Sequence, residues 1–340
     1  MTAKENPVRT YTKITAVVLL MILALSGCEK GGIRTETMTP EERAAAYAEA
    51  ESKKAESESE SKRLEAESKR AEQESLRLEK EAAEAKAKEE REEDIAMAKA
   101  DFEENRYFSF DGADYELTFY DSFNGHALDP DKWAYCPEWE RDDCIWKSEG
   151  AYLEDGNLVL SVTGDKVPYT AGAIRTRDIF EQTYGFYEVR CKLPPTEGIN
   201  GAFWLMCDGA GAENEYGGSD GCEIDILEAP HHDWSQIQHA LHFDGYGARH
   251  KSNAKELVID NIYGDEYHTY TLVWTDEEYR FYVDGERTWK IGGNWVCNVP
   301  CYLKLTVSVG GWAGEFDPNT TPVAGLTVDY VKVGLPVGVR

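Results

Sequence analysis

Residues 40 to 105 contain almost nothing that can be buried, and this decides how the chain divides. The segment is mostly Glu, Lys, Ala, Ser and Arg, with no Trp and no Cys. So few large apolar side chains cannot offset the entropy of ordering a packed core. The aromatic residues lie nearly all after Phe102, so the packed domain is expected over 107–340, long enough for one large core.

The polar segment reads as a helix over 39–105. In Thr39-Pro40-Glu41-Glu42, Thr caps, Pro takes the first helical position and Glu42 completes a capping box. Strong helix formers follow. Glu49 with Lys53, Glu58 with Lys62, Glu65 with Lys69 and Glu84 with Lys88 form i,i+4 pairs. Leu64, Ala71, Leu78 and Ala85 recur at spacing seven, but their companion positions hold Glu or Ser. One apolar position per heptad is half of a coiled-coil seam. A solvated helical tether is therefore expected rather than an oligomerising coiled coil or a disordered linker.

The N-terminus reads as an export signal over 1–27. Lys4, Arg9 and Lys13 precede an apolar run at 14–25, too short for a mature span, which needs about 20 residues. The run ends in Leu25-Ser26-Gly27-Cys28, which resembles a bacterial lipobox with Cys28 as the lipidated residue. The expectation is an exported lipoprotein held to the bacterial membrane at Cys28, with a polar spacer over 28–38 and the packed domain extracellular or periplasmic. The formal net charge of −28 disfavours nucleic acid, whose phosphates would be repelled. Export permits disulfides. Besides Cys28 there are seven cysteines, an odd number that leaves at least one thiol free. No pair has a zinc-finger arrangement with His, so no structural zinc is expected.

From Tyr107 onward, short alternating segments separated by Gly, Asp and Asn argue an all-β sandwich or barrel. Examples are Asn157-Leu158-Val159-Leu160-Ser161-Val162 and Tyr279-Arg280-Phe281-Tyr282-Val283. The segment with chemistry is Gly221-Cys222-Glu223-Ile224-Asp225-Ile226-Leu227-Glu228-Ala229. In a regular strand Glu223 and Asp225 share a face, but Glu228, five residues from Glu223, would point into the core. An unpaired charge there is too costly. One β-bulge near Ile226-Leu227 resets the parity and gathers all three acids. Four effective strand steps of about 3.3 Å separate the Glu Cα atoms by roughly 13 Å. Side chains leaning together can reach the about 5 to 5.5 Å that retaining glycosidases use.

This segment resembles the bulged Glu-x-Asp-x-x-Glu motif of glycoside hydrolase family 16, found in laminarinases, agarases and carrageenases. Flanking elements match in order: Ala171-Gly172-Ala173-Ile174-Arg175-Thr176, Tyr184-Gly185-Phe186-Tyr187-Glu188-Val189-Arg190, Ala202-Phe203-Trp204-Leu205-Met206, Val309-Gly310-Gly311-Trp312 and Val328-Asp329-Tyr330-Val331. The resemblance spans about 115–335. It implies an all-β jelly-roll sandwich, concanavalin-like, with a concave substrate cleft and endo-acting hydrolysis of a polysaccharide. It assigns Glu223 as nucleophile, Asp225 as its assisting acid and Glu228 as general acid/base. Trp204 would stack on a sugar, His242 would sit beside the carboxylates, and Trp312 and Trp139 would line the cleft. Where laminarinases usually carry Trp-Pro, this chain has Asn200-Gly201. The favoured substrate is a β-1,3- or mixed β-1,3-1,4-glucan, with a galactan as the alternative and a non-catalytic carbohydrate-binding lipoprotein as the rival class. No cofactor is required, and the family admits a structural calcium elsewhere on the sandwich. The acidic strand itself fails the EF-hand template, which would need ligands at Tyr216, Gly218 and Leu227.

Overall fold

The computed structural model describes residues 38–193, 195–213, 215–230, 235–320 and 324–338. The export signal, Cys28 and the anchor expected there lie outside these residues. A helix α1 runs over Pro40–Glu104. Its start is the expected capping box: the Thr39 N–H donates to Glu42 Oε2 at 2.8 Å and the Glu42 N–H to Thr39 Oγ1 at 3.3 Å. Lys53 pairs with Glu49 at 2.5 Å and Lys69 with Glu65 at 2.7 Å. No helix residue is buried. Among the described residues no helix is long and apolar enough to cross a membrane.

The chain divides into two compact units, Met1–Ala82 and Ala83–Arg340. Within the second, the end of α1 is not free. Arg91 holds Asp129 at 2.9 Å and Asp131 at 2.7 Å. Asp94 accepts from the His126 N–H at 3.0 Å and faces its Nδ1 at 2.7 Å. The solvated tether expected over 39–105 therefore ends earlier, because charged side chains on the last turns find partners on the loop after the second strand.

Twenty strands follow among the described residues. In chain order they are β1 (Tyr107–Phe110), β2 (Ala113–Asp121), β3 (Ala134–Tyr135), β4 (Glu140–Arg141), β5 (Cys144–Trp146), β6 (Ala151–Glu154) and β7 (Asn157–Thr163). Next come β8 (Tyr169–Ala171), β9 (Ala173–Arg175), β10 (Glu181–Gln182), β11 (Gly185–Lys192), β12 (Ile199–Met206), β13 (Glu223–Pro230) and β14 (Gln236–Phe243). The last are β15 (Lys251–Val258), β16 (His268–Trp274), β17 (Glu278–Val283), β18 (Glu286–Gly292), β19 (Cys301–Val309) and β20 (Ala324–Pro336).

One sheet runs β18-β17-β16-β11-β20-β7-β8-β5-β4, with β1, β2 and β6 attached. The other runs β15-β14-β13-β12-β19-β9-β3, with β10 on β19. Almost every pairing is antiparallel, as in a sandwich whose inner faces build the core. Between the sheets lie Trp133, Tyr187, Phe203, Trp274 and Phe281, all fully buried. Burying such a side chain contributes about 2 kcal/mol. The cysteines at 136, 144, 191, 207, 222, 297 and 301 are buried and unbonded.

Candidate active site

β13 carries the three acids, and its neighbours show how they come to share a face. Against β12, Phe203 pairs with Leu227 and Trp204 with Asp225, so Ile226 has no opposite number. Against β14, Asp225 pairs with Ala240 and Glu228 with Gln238, leaving two residues of β13 opposite His239 alone. Ile226 is thus the extra residue of a bulge. Ile226 and Leu227 are both fully buried, and the extra residue lets Glu228 return to the side of Glu223 and Asp225.

The bulge is held from both sides. His239 Nδ1 lies 2.6 Å from the Ile226 carbonyl and its Nε2 lies 2.9 Å from Thr288 Oγ1. Burial lowers the His239 pKa to about 4, so the ring is neutral and donates through Nδ1. On the β12 side, Asn200 Oδ1 accepts the Ala229 N–H at 2.9 Å.

Glu223, Asp225 and Glu228 line one pocket with Trp204 and Asn200 of β12 and Thr306 and Ser308 of β19. Each strand contributes alternate residues, so the pocket is the side of the second sheet facing away from the core. Arg141 and Trp146 close it from β4 and β5. The three acids are differently supported. Tyr246 donates its hydroxyl proton to Glu223 Oε2 in a short hydrogen bond. Gln238 Nε2 donates to Glu228 Oε2 at 2.7 Å. Asp225 is 3% exposed, and its buried Oδ2 makes no hydrogen bond. His242 Nε2 stands 3.4 Å from that oxygen, within ion-pair reach but not aligned as a hydrogen bond.

Burial, then the charges of Glu223 and Glu228, push the Asp225 carboxyl well above the usual range. Glu228 is also raised, first by burial and then by Glu223, with the Gln238 hydrogen bond opposing. Crowded carboxyls in a low-dielectric site hold protons that isolated ones would lose. Such an arrangement can present one carboxylate as nucleophile and one carboxylic acid as proton donor.

The sugar-binding residues expected from sequence are less uniform. His242 is opposite Glu223 across the β13–β14 ladder, and its Nδ1 lies 2.9 Å from His250 Nε2. Trp204 does line the acid pocket, but it is only 5% exposed. Its Nε1 donates to Thr306 Oγ1 at 3.0 Å, and the Lys304 ammonium sits 3.7 Å over its ring. One face of the ring is therefore covered by that cation. Trp139 is exposed and meets Trp146 edge-on at 5.6 Å. Trp312 is exposed on the turn after β19. Neither Trp139 nor Trp312 is among the residues that line the acid pocket.

Sequence reasoning did not single out Tyr246, His239, Gln238, Lys304 or Arg141. Lys304 alone carried a local signal, the one charged residue of β19. Glu223, Asp225 and His242 bring ligand atoms within 4.8 Å of one another. Calcium prefers six to eight oxygens, so this mixed set of three does not fit a structural calcium.

The Glycosyl hydrolases family 16 model matches residues 138–332. A keratan-sulfate endo-1,4-beta-galactosidase from Sphingobacterium multivorum is 33% identical over 228 residues, 61% of this chain and 52% of that one. A glucan endo-1,3-beta-glucosidase A1 from Niallia circulans is 27% identical over 251 residues, 62% of this chain and 36% of that one. The chain thus spans about half of the first of these curated relatives and about a third of the second. Among solved structures, the laminarinase catalytic domain from Thermotoga maritima superposes with a TM-score of 0.55 at 27% identity, covering 65% of this chain and 98% of that one.

Proposed function

This chain belongs to glycosyl hydrolase family 16, and from that premise we propose that it cleaves internal β-glycosidic bonds of a polysaccharide with retention of configuration. The observation that carries the reading is the bulge at Ile226, which turns Glu223, Asp225 and Glu228 into one pocket. The Glu223 carboxylate attacks the anomeric carbon while the Glu228 carboxylic acid gives its proton to the departing glycosidic oxygen. A glycosyl ester on Glu223 results. Glu228, now ionised, takes a proton from water, whose oxygen displaces Glu223 from the anomeric carbon. Asp225, kept protonated by burial and by the charges of Glu223 and Glu228, limits the charge that gathers there.

The substrate read here is a β-1,3- or mixed β-1,3-1,4-glucan, in keeping with the glucanase and laminarinase relatives. A second reading, a β-1,4-galactoside, is favoured by the 33% identity to the keratan-sulfate enzyme. Two cations beside the acids, Lys304 and Arg141, would also suit an anionic chain. Release of reducing ends from laminarin, lichenan, agarose, carrageenan and keratan sulfate decides between them. Binding without release from any would favour a carbohydrate-binding protein instead. We further propose export and lipidation at Cys28, which metabolic labelling with a lipid precursor would test.

A further inference from the structure

Four cysteines meet although they come from four places in the chain. Cys207 follows β12, Cys222 precedes β13, Cys297 follows the turn at Gly293–Trp295, and Cys301 opens β19. All four are buried, at 4% exposure or less. The Cys297 and Cys301 sulfurs face each other, the Tyr279 hydroxyl lies against both the Cys222 sulfur and the Cys297 N–H, and the Cys207 sulfur packs against Gly221, the residue before Cys222. We propose that these four thiols are the ligands of a structural site for a thiophilic divalent metal of the zinc class. The site would tie the 207–222 loop and the start of β19 to the residue that precedes Glu223.

Distance separates this reading from a disulfide. The Cys297 and Cys301 sulfurs are 3.9 Å apart. A disulfide requires about 2.05 Å. A tetrahedron with zinc–sulfur bonds of about 2.3 Å has edges of about 3.8 Å. Spacing agrees, since Cys297-Asn298-Val299-Pro300-Cys301 falls within the C-x2–4-C pattern of structural zinc ligands.

Gly221 supplies a further mark of close packing at Cys207. Its φ is +130°, and a Cβ there would stand 2.1 Å from the Cys207 sulfur. The surroundings also hold the ligand loops in place. Tyr279 places its hydroxyl 3.5 Å from the Cys222 sulfur and accepts the Cys297 N–H at 2.6 Å. Trp274 Nε1 donates to the Cys297 carbonyl at 3.0 Å.

The sulfurs stand wider than a closed tetrahedron, because the one set of ligand atoms within 4.8 Å of each other among the described residues is Glu223, Asp225 and His242. Loading therefore draws Cys207 or Cys222 inward. Four thiols release their protons to solvent, leaving a metal–tetrathiolate of net charge −2. The absence of a nearby His, which argued against zinc in the sequence, does not exclude a site made of four Cys.

The test is metal analysis of the purified full chain after growth with zinc, with thiol mapping by alkylation in denaturant. The expected result is about one zinc per chain, as a four-thiolate site requires. The four thiols should resist alkylation until the metal is removed with a mercurial or chelator. Cys301→Ser should lose the zinc, while Cys191→Ser and His242→Ala keep it. If Cys301→Ser fails to fold, limited alkylation of the native wild-type chain gives the same assignment. The proposal is overturned by absence of stoichiometric zinc, by protection that yields only to a disulfide reductant, or by zinc that leaves with His242→Ala and not with Cys301→Ser.

Discussion

The Nδ1 of His239 lies 2.6 Å from the carbonyl oxygen of Ile226, the residue that breaks the parity of the acidic strand. That carbonyl is displaced from the regular ladder, and the imidazole supplies a partner for it. Replacing His239 with Ala leaves a buried carbonyl unpaired, which costs about 1 to 3 kcal/mol. Glu228 would also lose the fixed bend that keeps it on the pocket side. Urea unfolding of His239→Ala should show the stability loss, and turnover should fall more than substrate affinity. An unchanged midpoint with unchanged turnover would refute the bracing role.

The same ring makes stability depend on pH. The folded His239 is lowered to about 4 by burial, against about 6.5 for an unfolded histidine. Between those values the unfolded chain binds a proton that the folded one refuses, so stability falls as pH falls. The contribution is complete above about 6.5 and is lost progressively down to about 4, amounting to about 3 kcal/mol. Thermal unfolding at pH 7 and pH 5 should show a drop in the wild type that is smaller in His239→Gln.

Glu228→Gln removes the proton donor and should lower kcat by about 10²- to 10⁴-fold on a natural polysaccharide. A substrate with an activated leaving group should lose less in the first step, and azide should restore release by replacing the water that Glu228 would activate. Glu223→Gln should gain nothing from azide in the same assay if Glu223 carries the glycosyl ester. Tyr246→Phe removes the donor to Glu223 Oε2. A hydrogen bond to a charged group contributes about 1.5 to 3 kcal/mol, so kcat/KM should drop about 10- to 100-fold. The loss should appear in the pH profile of the variant as well as in its rate.

What the sequence revealed and what it concealed follow from how local each constraint is. The bulge was legible because Glu223, Glu228 and the pair Ile226-Leu227 are within one strand, and a regular strand would have buried a charge. The helix start was legible because Thr39 and Glu42 satisfy each other three residues apart. Tyr246 reaches Glu223, Arg141 lines the acid pocket and Lys304 covers Trp204 beside it, all from other strands and loops, and no spacing rule links them to β13. The cation over Trp204 was hidden for the same reason: strand alternation places Trp204 on the side of the acids, but only the fold brings Lys304 across its ring. The four meeting cysteines span residues 207 to 301, so no short-range pattern announces them.

Lys304 provides the last prediction. Its ammonium lies over Trp204 at 3.7 Å and over Trp146 at 4.9 Å, and burial lowers its pKa to about 8. An unfolded lysine titrates near 10.4. As pH rises from about 8 toward 10 the folded chain releases a proton that the unfolded chain keeps, so this group makes the protein more stable with rising pH over that range. The charge available to a bound sugar disappears over the same interval. For a sulfated substrate, KM should therefore rise between pH 7 and pH 9, while for a neutral glucan it should not. Lys304→Met should abolish that pH dependence and bring the sulfated and neutral substrates closer in kcat/KM. If both substrates show the same KM profile in the wild type, Lys304 is packing for Trp204 and does not read substrate charge.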